Sequence, residues 1–331
     1  MNTNIRMGGG KSDRDSSIDL LKSVAILMVI VTHFGFHEDF CMKWLFPFHI
    51  DMAVPIFMVI TGYNFYISCA KHSGNIFRQW FSRTSILNKT KRIVIPFAIL
   101  FLLELVIEIL VRHNNVAETI KEMFVLSGYG PGGYYFYVII QIIIIFPLLF
   151  FCFQKKPLLT LCCVLLVSIV FEVFVMQTEL WSRLYRIIAI RYLTAVILGM
   201  VIAKYGRKIK WPVAVASLLV GGSFIYVLNY TPYQLIFTQW IGTAFPTAFY
   251  AAFFVFVTIN YIKIRNIMPI HLIGKATYHI FLVQMFYYYY LVVYINRSIG
   301  WGITSLIIAI IGCTLVGVTL SILSPARIKP G

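Results

Sequence analysis

The chain has 331 residues, of which 60% are hydrophobic and only 12% charged, where an ordinary soluble domain carries roughly a quarter charged. With a mean hydropathy of +0.84 it has more apolar surface than a water-soluble core could hide, which excludes a soluble globular enzyme. The net charge of +16 does not point to nucleic acid, because the basic residues fall in short segments between apolar stretches, as in loops held against anionic lipid.

Crossing a bilayer takes about 20 apolar residues. Taken in chain order, the apolar runs predict spans at 18–37, 50–70, 93–112, 133–153, 157–176, 186–203, 211–229, 241–262, 272–295 and 301–322. Turn punctuation falls between them, including Gly130-Pro131-Gly132-Gly133, Lys156-Pro157 and Trp211-Pro212. The expected fold class is therefore all-α, a polytopic integral membrane protein of about ten transmembrane helices. A tail over 1–17, one transmembrane domain over 18–322 and a tail over 323–331 complete the expected organisation. The run from Ile18 is too long for a cleavable signal and lacks a small-residue cleavage site. Cys41, Cys69, Cys152, Cys162, Cys163 and Cys313 mostly sit inside apolar runs without CxxC spacing, and read as buried small hydrophobes rather than a disulfide framework or metal site.

With the N-terminus placed in the cytoplasm, twenty of the 28 Lys and Arg residues fall on the cytoplasmic side. Seven fall on the outer side and Lys22 lies within the first span. That bias predicts an even number of helices with both termini cytoplasmic, in a cell membrane crossed many times. No internal repeat suggests an inverted-repeat transporter.

Ionisable groups within hydrocarbon are costly and mark functional candidates. The first span carries Asp19, Lys22 and His33. Lys22 and His33 are eleven residues apart, so on a helix they share a face and stand about 16 Å apart along its axis. Asp19 precedes Lys22 by three residues and falls close to the same face. Two readings of these residues stay open: Lys22 snorkels to headgroups while His33 bonds a neighbouring helix, or the pair belongs to a functional site.

Further segments follow in order. Residues 46–65 read FPFHIDMAVPIFMVITGYNF and Lys89-Thr90-Lys91-Arg92 leads to Pro96. Gly132-Gly133-Tyr134-Tyr135-Phe136-Tyr137 runs on to Gln141 and Pro147, and residues 273–284 read IGKATYHIFLVQ. Taken together these resemble the acyltransferase 3 family of integral-membrane O-acyltransferases. In that family a basic residue precedes a His by eleven positions in the first helix, and the second helix ends in Ser-Gly-aromatic. A basic pair then precedes a Pro, and Ser-Tyr-x-x-Tyr-Leu-x-His comes near the end. The resemblance covers essentially the whole chain. Here Lys22 stands where Arg is common, Thr61 replaces Ser and Gln284 replaces the late His.

The resemblance implies transfer of an acyl group, usually acetyl from cytoplasmic acetyl-CoA, to a hydroxyl of a cell-surface polysaccharide or lipid-linked sugar. Acetyl-CoA would then be a donor substrate rather than a resident cofactor, and no metal is implied. The catalytic set would be His33 with Lys22 and Asp19, His33 taking the hydroxyl proton or carrying the acyl group transiently. A carboxylate partner would come from Glu108, with Glu104 and Glu172 as alternatives. Lys22, Arg83, Lys89, Lys91 and Arg92 would hold the phosphates of coenzyme A, although positive-inside topology alone accounts for the same cluster. His49, Asp51, Thr61 and Tyr63 would serve the acceptor. Tyr134 and Tyr135 suit a sugar face or an interfacial aromatic belt. On this reading a passage walled by the first three helices joins Lys91 and Arg92 to His33, with a second mouth near His49 and Asp51. The rival reading is a transporter or flippase for a lipid-linked sugar or small solute, which would also place charges inside the membrane. A non-catalytic scaffold is a third.

Overall fold

The computed structural model describes residues 11–71, 74–178, 182–233, 241–262 and 267–324, and among them there are helices and turns and no strand. Arg6, Lys263, Arg265, Arg327 and Lys329, which entered the charge count, lie outside the described residues. Among the described residues, ten helices of 13 residues or more form the frame. They are α1 (Lys11–Thr32), α2 (Ala53–Ala70), α3 (Ile95–Leu110), α4 (Tyr134–Lys155) and α5 (Pro157–Thr178). The remainder are α6 (Leu193–Tyr205), α7 (Trp211–Tyr230), α8 (Thr247–Tyr261), α9 (Met268–Phe286) and α10 (Ile303–Leu323). In lipid every backbone amide needs an internal partner, which leaves helix as the only open-chain solution for such runs. Proline at the first turn of α3, α7 and α9 starts each helix where its missing N–H leaves no bond unmade.

Among the described residues, eight helical stretches are long and apolar enough to cross a membrane, and they answer eight of the ten predicted spans. The other two predicted spans fall on α1 and α8. The α1 helix has 22 residues but carries Lys11, Asp13, Arg14, Asp15, Asp19 and Lys22 within its first twelve. The α8 helix has 15 residues and is preceded by a short 3-10 turn over Ile241–Thr243. Other limits shift as well. The α1 helix starts within the predicted tail and closes at Thr32, before Gly35 at φ +83 turns the chain. Two single π-helical turns lengthen their helices: Thr90–Val94 joins a short helix over Arg83–Lys89 to α3, and Tyr287–Leu291 joins α9 to a short helix over Val292–Ile299.

Large apolar residues such as Ile99, Leu102 and Val106 on α3, Leu158 on α5 and Leu315 on α10 are exposed, facing where lipid chains would lie. Cys152, Cys162 and Cys163 share that exposure and Cys41 is half-buried, so of the six cysteines only Cys69 and Cys313 fill the buried role expected of them.

The centre of the bundle is α2, packed chiefly on α6 and also touching α1 and α8. Two glycines allow the tight α2–α6 contact. A Cβ on Gly62 would stand 1.9 Å from the Val196 carbonyl oxygen, and one on Gly199 2.0 Å from that of Val59. Membrane helices, lacking a hydrophobic drive to associate, gain most from such close backbone approach. On its other side α1 packs against α9, where a Cβ on Gly274 would stand 2.6 Å from the Asp19 carbonyl oxygen. That contact fixes α9 beside the first half of α1.

Candidate active site

Between α1, α2 and α9 lies a cavity of about 1100 Å³ whose wall includes both Lys22 and His33. It therefore follows α1 for three turns, about 16 Å of rise. The shared face read from the eleven-residue spacing is a cavity wall.

At the Lys22 end the lining adds Arg92, Lys275, Ser321 and Ser324. Arg92 and Lys275 are exposed, marking a mouth. Arg92 belongs to the π turn over Thr90–Val94. Such a turn shifts the side-chain register by about one residue, and π bulges recur at functional sites. Here Arg92 and Ile93 line the cavity, while the neighbouring Lys91 is exposed outside the lining. The other expected phosphate ligands lie apart. Arg83 is exposed and away from the cavity wall. The Lys89 ammonium donates to the Trp80 carbonyl at 2.8 Å and to Ser85 Oγ at 2.9 Å, and lies 3.5 Å from a Trp80 ring centroid. Lys89 thus ties the short helices before α3 together.

At the His33 end the lining adds Asp51, Tyr134, Arg186, Asn229 and Thr243. His33 sits one residue past α1 and meets Tyr288 edge-on at 6.3 Å between ring centroids. The Tyr288 hydroxyl donates to the Ile30 carbonyl at 2.6 Å, which steadies the last turn of α1 beneath the imidazole. Thr61 and Tyr135 line the middle, and Thr61 donates to the Phe57 carbonyl at 2.8 Å. His49, by contrast, is exposed outside the lining, its Nδ1 accepting from the Ile50 N–H at 2.9 Å. Tyr63 is 2% exposed and packs in the main core.

The carboxylates do not fall where the depth count along each helix placed them. Both Glu108 oxygens are engaged: Oε1 accepts from Arg112 at 2.9 Å and from the Tyr290 hydroxyl at 2.9 Å, and Oε2 from Asn114 at 2.8 Å. Glu108 is buried off the cavity wall, so the expected pairing with His33 gives way to a cluster that ties α3 to the π turn after α9. Glu104 accepts from the Tyr129 N–H at 3.1 Å, and Glu172 accepts from the Tyr185 hydroxyl at 2.8 Å to each oxygen. Asp19 reaches α9, with Oδ2 2.6 Å from His271 Nδ1. Among the described residues, the carboxylate that lines the cavity is Asp51. Replacing Glu108 with alanine should leave the buried Tyr290 hydroxyl without its acceptor, at about 1–3 kcal/mol. A lowered thermal midpoint in detergent checks this, with turnover of the surviving folded fraction retained.

Several lining residues gave little signal in the sequence. Arg186 counted only toward topology, and Lys275, Tyr278 and His279, which stood in the quoted segment over 273–284 without a role, come from α9, some 250 residues away from α1 in the chain. His279 lies five residues before Gln284, the position where the resemblance expects a His. Gln284 is fully buried and donates to the Pro131 carbonyl at 3.0 Å. Its side chain holds the Gly130–Gly133 turn, and the cavity receives His279 instead.

Among the described residues, a bundle of long apolar helices surrounds a cavity lined by four cations, one carboxylate and two imidazoles, and this defines a multi-pass membrane protein with an internal polar site. The sequence model of the acyltransferase 3 family, an acyltransferase domain, matches residues 15–323, and the chain belongs to that family. It is thus a membrane acyltransferase. No curated protein and no solved structure matches it.

Proposed function

We propose that this acyltransferase moves an acetyl group from cytoplasmic acetyl-CoA to a hydroxyl of a cell-surface polysaccharide or a lipid-linked sugar. In this reading the Lys22 end of the cavity faces the cytoplasm, both termini are cytoplasmic and all ten long helices cross the cell membrane. Engagement of Asp19 with His271 supports a crossing α1, because that carboxylate then meets protein rather than lipid.

The observation that carries the proposal is the single cavity joining three cations, Lys22, Arg92 and Lys275, to His33 about three helical turns away. Coenzyme A has its charge at one end and its thioester at the other, and a cavity with cations at one end and a base at the other suits that polarity. Phosphates would meet charge-assisted contacts at the mouth. The pantetheine arm would lie along the apolar middle beside Ile26, Val29 and Phe57. At the far end His33 would take the acceptor's proton as it attacks the thioester carbon. Asp51, Asn229 and Tyr134 would face the acceptor there. A transporter would need no such polarity between phosphate-binding cations and a base, and family membership weighs against it.

Titration of the detergent-purified protein with acetyl-CoA at fixed salt tests the donor site. Arg92→Gln and Lys275→Gln should each weaken binding about tenfold, the scale of one charge-assisted contact, and more at low ionic strength. Lys91→Gln, one residue away but off the wall, should bind as wild type does. Equal effects at Lys91 and Arg92 would return the cluster to topology alone.

A further inference from the structure

Acyl transfer needs more than a base. When a hydroxyl attacks a thioester, the carbonyl oxygen takes a full negative charge, and a fixed donor at that point is often the largest single contribution to rate. Lys22, Arg92 and Lys275 stand at the other end of the cavity and cannot serve an oxygen beside His33.

Arg186 stands at the right end. It lines the cavity with His33 and Tyr134, and its charge acts on both. Its guanidinium carbon lies 4.4 Å from the Tyr134 ring centroid, which holds the planar group against one face. The backbone beneath it is anchored three times. The Gln141 side chain donates to the Ile187 carbonyl at 2.7 Å and accepts from the Ala189 N–H at 3.1 Å. The Tyr192 hydroxyl donates to the carbonyl of Arg186 itself at 3.0 Å. Gln141 and Tyr192 thus clamp a short linker at the level of the cavity end. Such pre-organisation is what an electrostatic catalyst requires, since a donor that must reorient loses most of its advantage.

From this arrangement we infer that Arg186 is a catalytic residue that stabilises the oxyanion of acyl transfer, with Gln141 as its positioning residue. This rests on the acyl-CoA reading above. In the step, the acceptor oxygen bonds to the thioester carbon while His33 takes the hydroxyl proton. The carbonyl electron pair moves onto its oxygen beside Arg186. The intermediate then collapses, the carbon–sulfur bond breaks, and the departing thiolate receives the proton from His33. An ester and free coenzyme A result, and no other reactant is consumed.

The test uses inside-out vesicles from the producing cells, which carry the native acceptor, given radiolabelled acetyl-CoA. Arg186→Gln should cut maximal incorporation about 100-fold or more, the scale for loss of one oxyanion donor, with the KM for acetyl-CoA unchanged. Arg186→Lys, which keeps charge and bulk in case the glutamine variant misfolds, should stay well below wild type because it lacks the planar fork. Guanidinium ion added to Arg186→Ala vesicles should restore part of the rate. Gln141→Leu should lower maximal incorporation several-fold, again without moving the KM. Near-wild-type incorporation in Arg186→Gln, with His33→Ala inactive, overturns the assignment and leaves the acyl-transfer reading standing. A loss that appears wholly as a raised acetyl-CoA KM, or that vanishes when vesicle acceptor is made more concentrated, makes Arg186 a binding residue and also overturns it. If wild-type vesicles incorporate no label, the acyl-transfer reading falls and takes this assignment with it.

Discussion

His33→Ala should insert, purify and bind acetyl-CoA as wild type does, yet transfer no measurable acetyl group. The imidazole lies past the end of α1, half-buried on the cavity wall, and its packing is an edge contact with Tyr288. Truncation therefore removes little core. Its chemical loss is large, because a positioned general base contributes about 10²–10⁴-fold to proton transfer. Mass spectrometry of surface glycans should show loss of the acyl increment in cells carrying this variant, and labelled vesicles should show the same loss in rate. Donor titration separates the two ends of the cavity: Arg92→Gln fails in binding, His33→Ala in turnover. An active His33→Ala protein would take His33 out of the mechanism.

Gly199→Leu should prevent the protein from folding in the membrane. Its added Cβ alone would stand 2.0 Å from the Val59 carbonyl oxygen and 2.8 Å from the Tyr63 nitrogen. Both are backbone atoms of α2, so no side-chain rotation relieves the clash, and the two helices must part along the main core. Overpacking usually costs about 1–3 kcal/mol where a core can adjust; a backbone clash at the central contact should exceed that. Gly312→Leu is the matched control, since nothing lies within 4 Å of a Cβ there. Size-exclusion profiles and thermal midpoints in detergent should separate the two variants sharply. Equal stability would mean that α2 and α6 are not locked together as described.

These two sites differ in how far the chain alone announced them. The helical spans followed from apolar runs, because lipid forces every such run to satisfy its own backbone bonds. The shared face of Lys22 and His33 followed from helical pitch, which is local. Arg92 was legible as one of several basic residues, but its separation from Lys91 depended on a π turn with no distinct sequence signal. Pairing the carboxylates failed for a physical reason. Counting depth along each helix compares heights and says nothing about rotation, and Glu108 rotates toward Tyr290, Arg112 and Asn114, away from the cavity.

The sequence by itself determined an all-helical membrane protein, its family and the His33–Lys22 axis, since composition, period and motif order act within a few turns of chain. The tertiary structure decided which other residues join that axis. Lys275 and His279 reach it because Gly274 lets α9 lie against Asp19 on α1. Arg186 reaches it because Gln141 and Tyr192 clamp its linker. Such neighbours are set by close approach between helices far apart in the chain, and no local pattern carries that information.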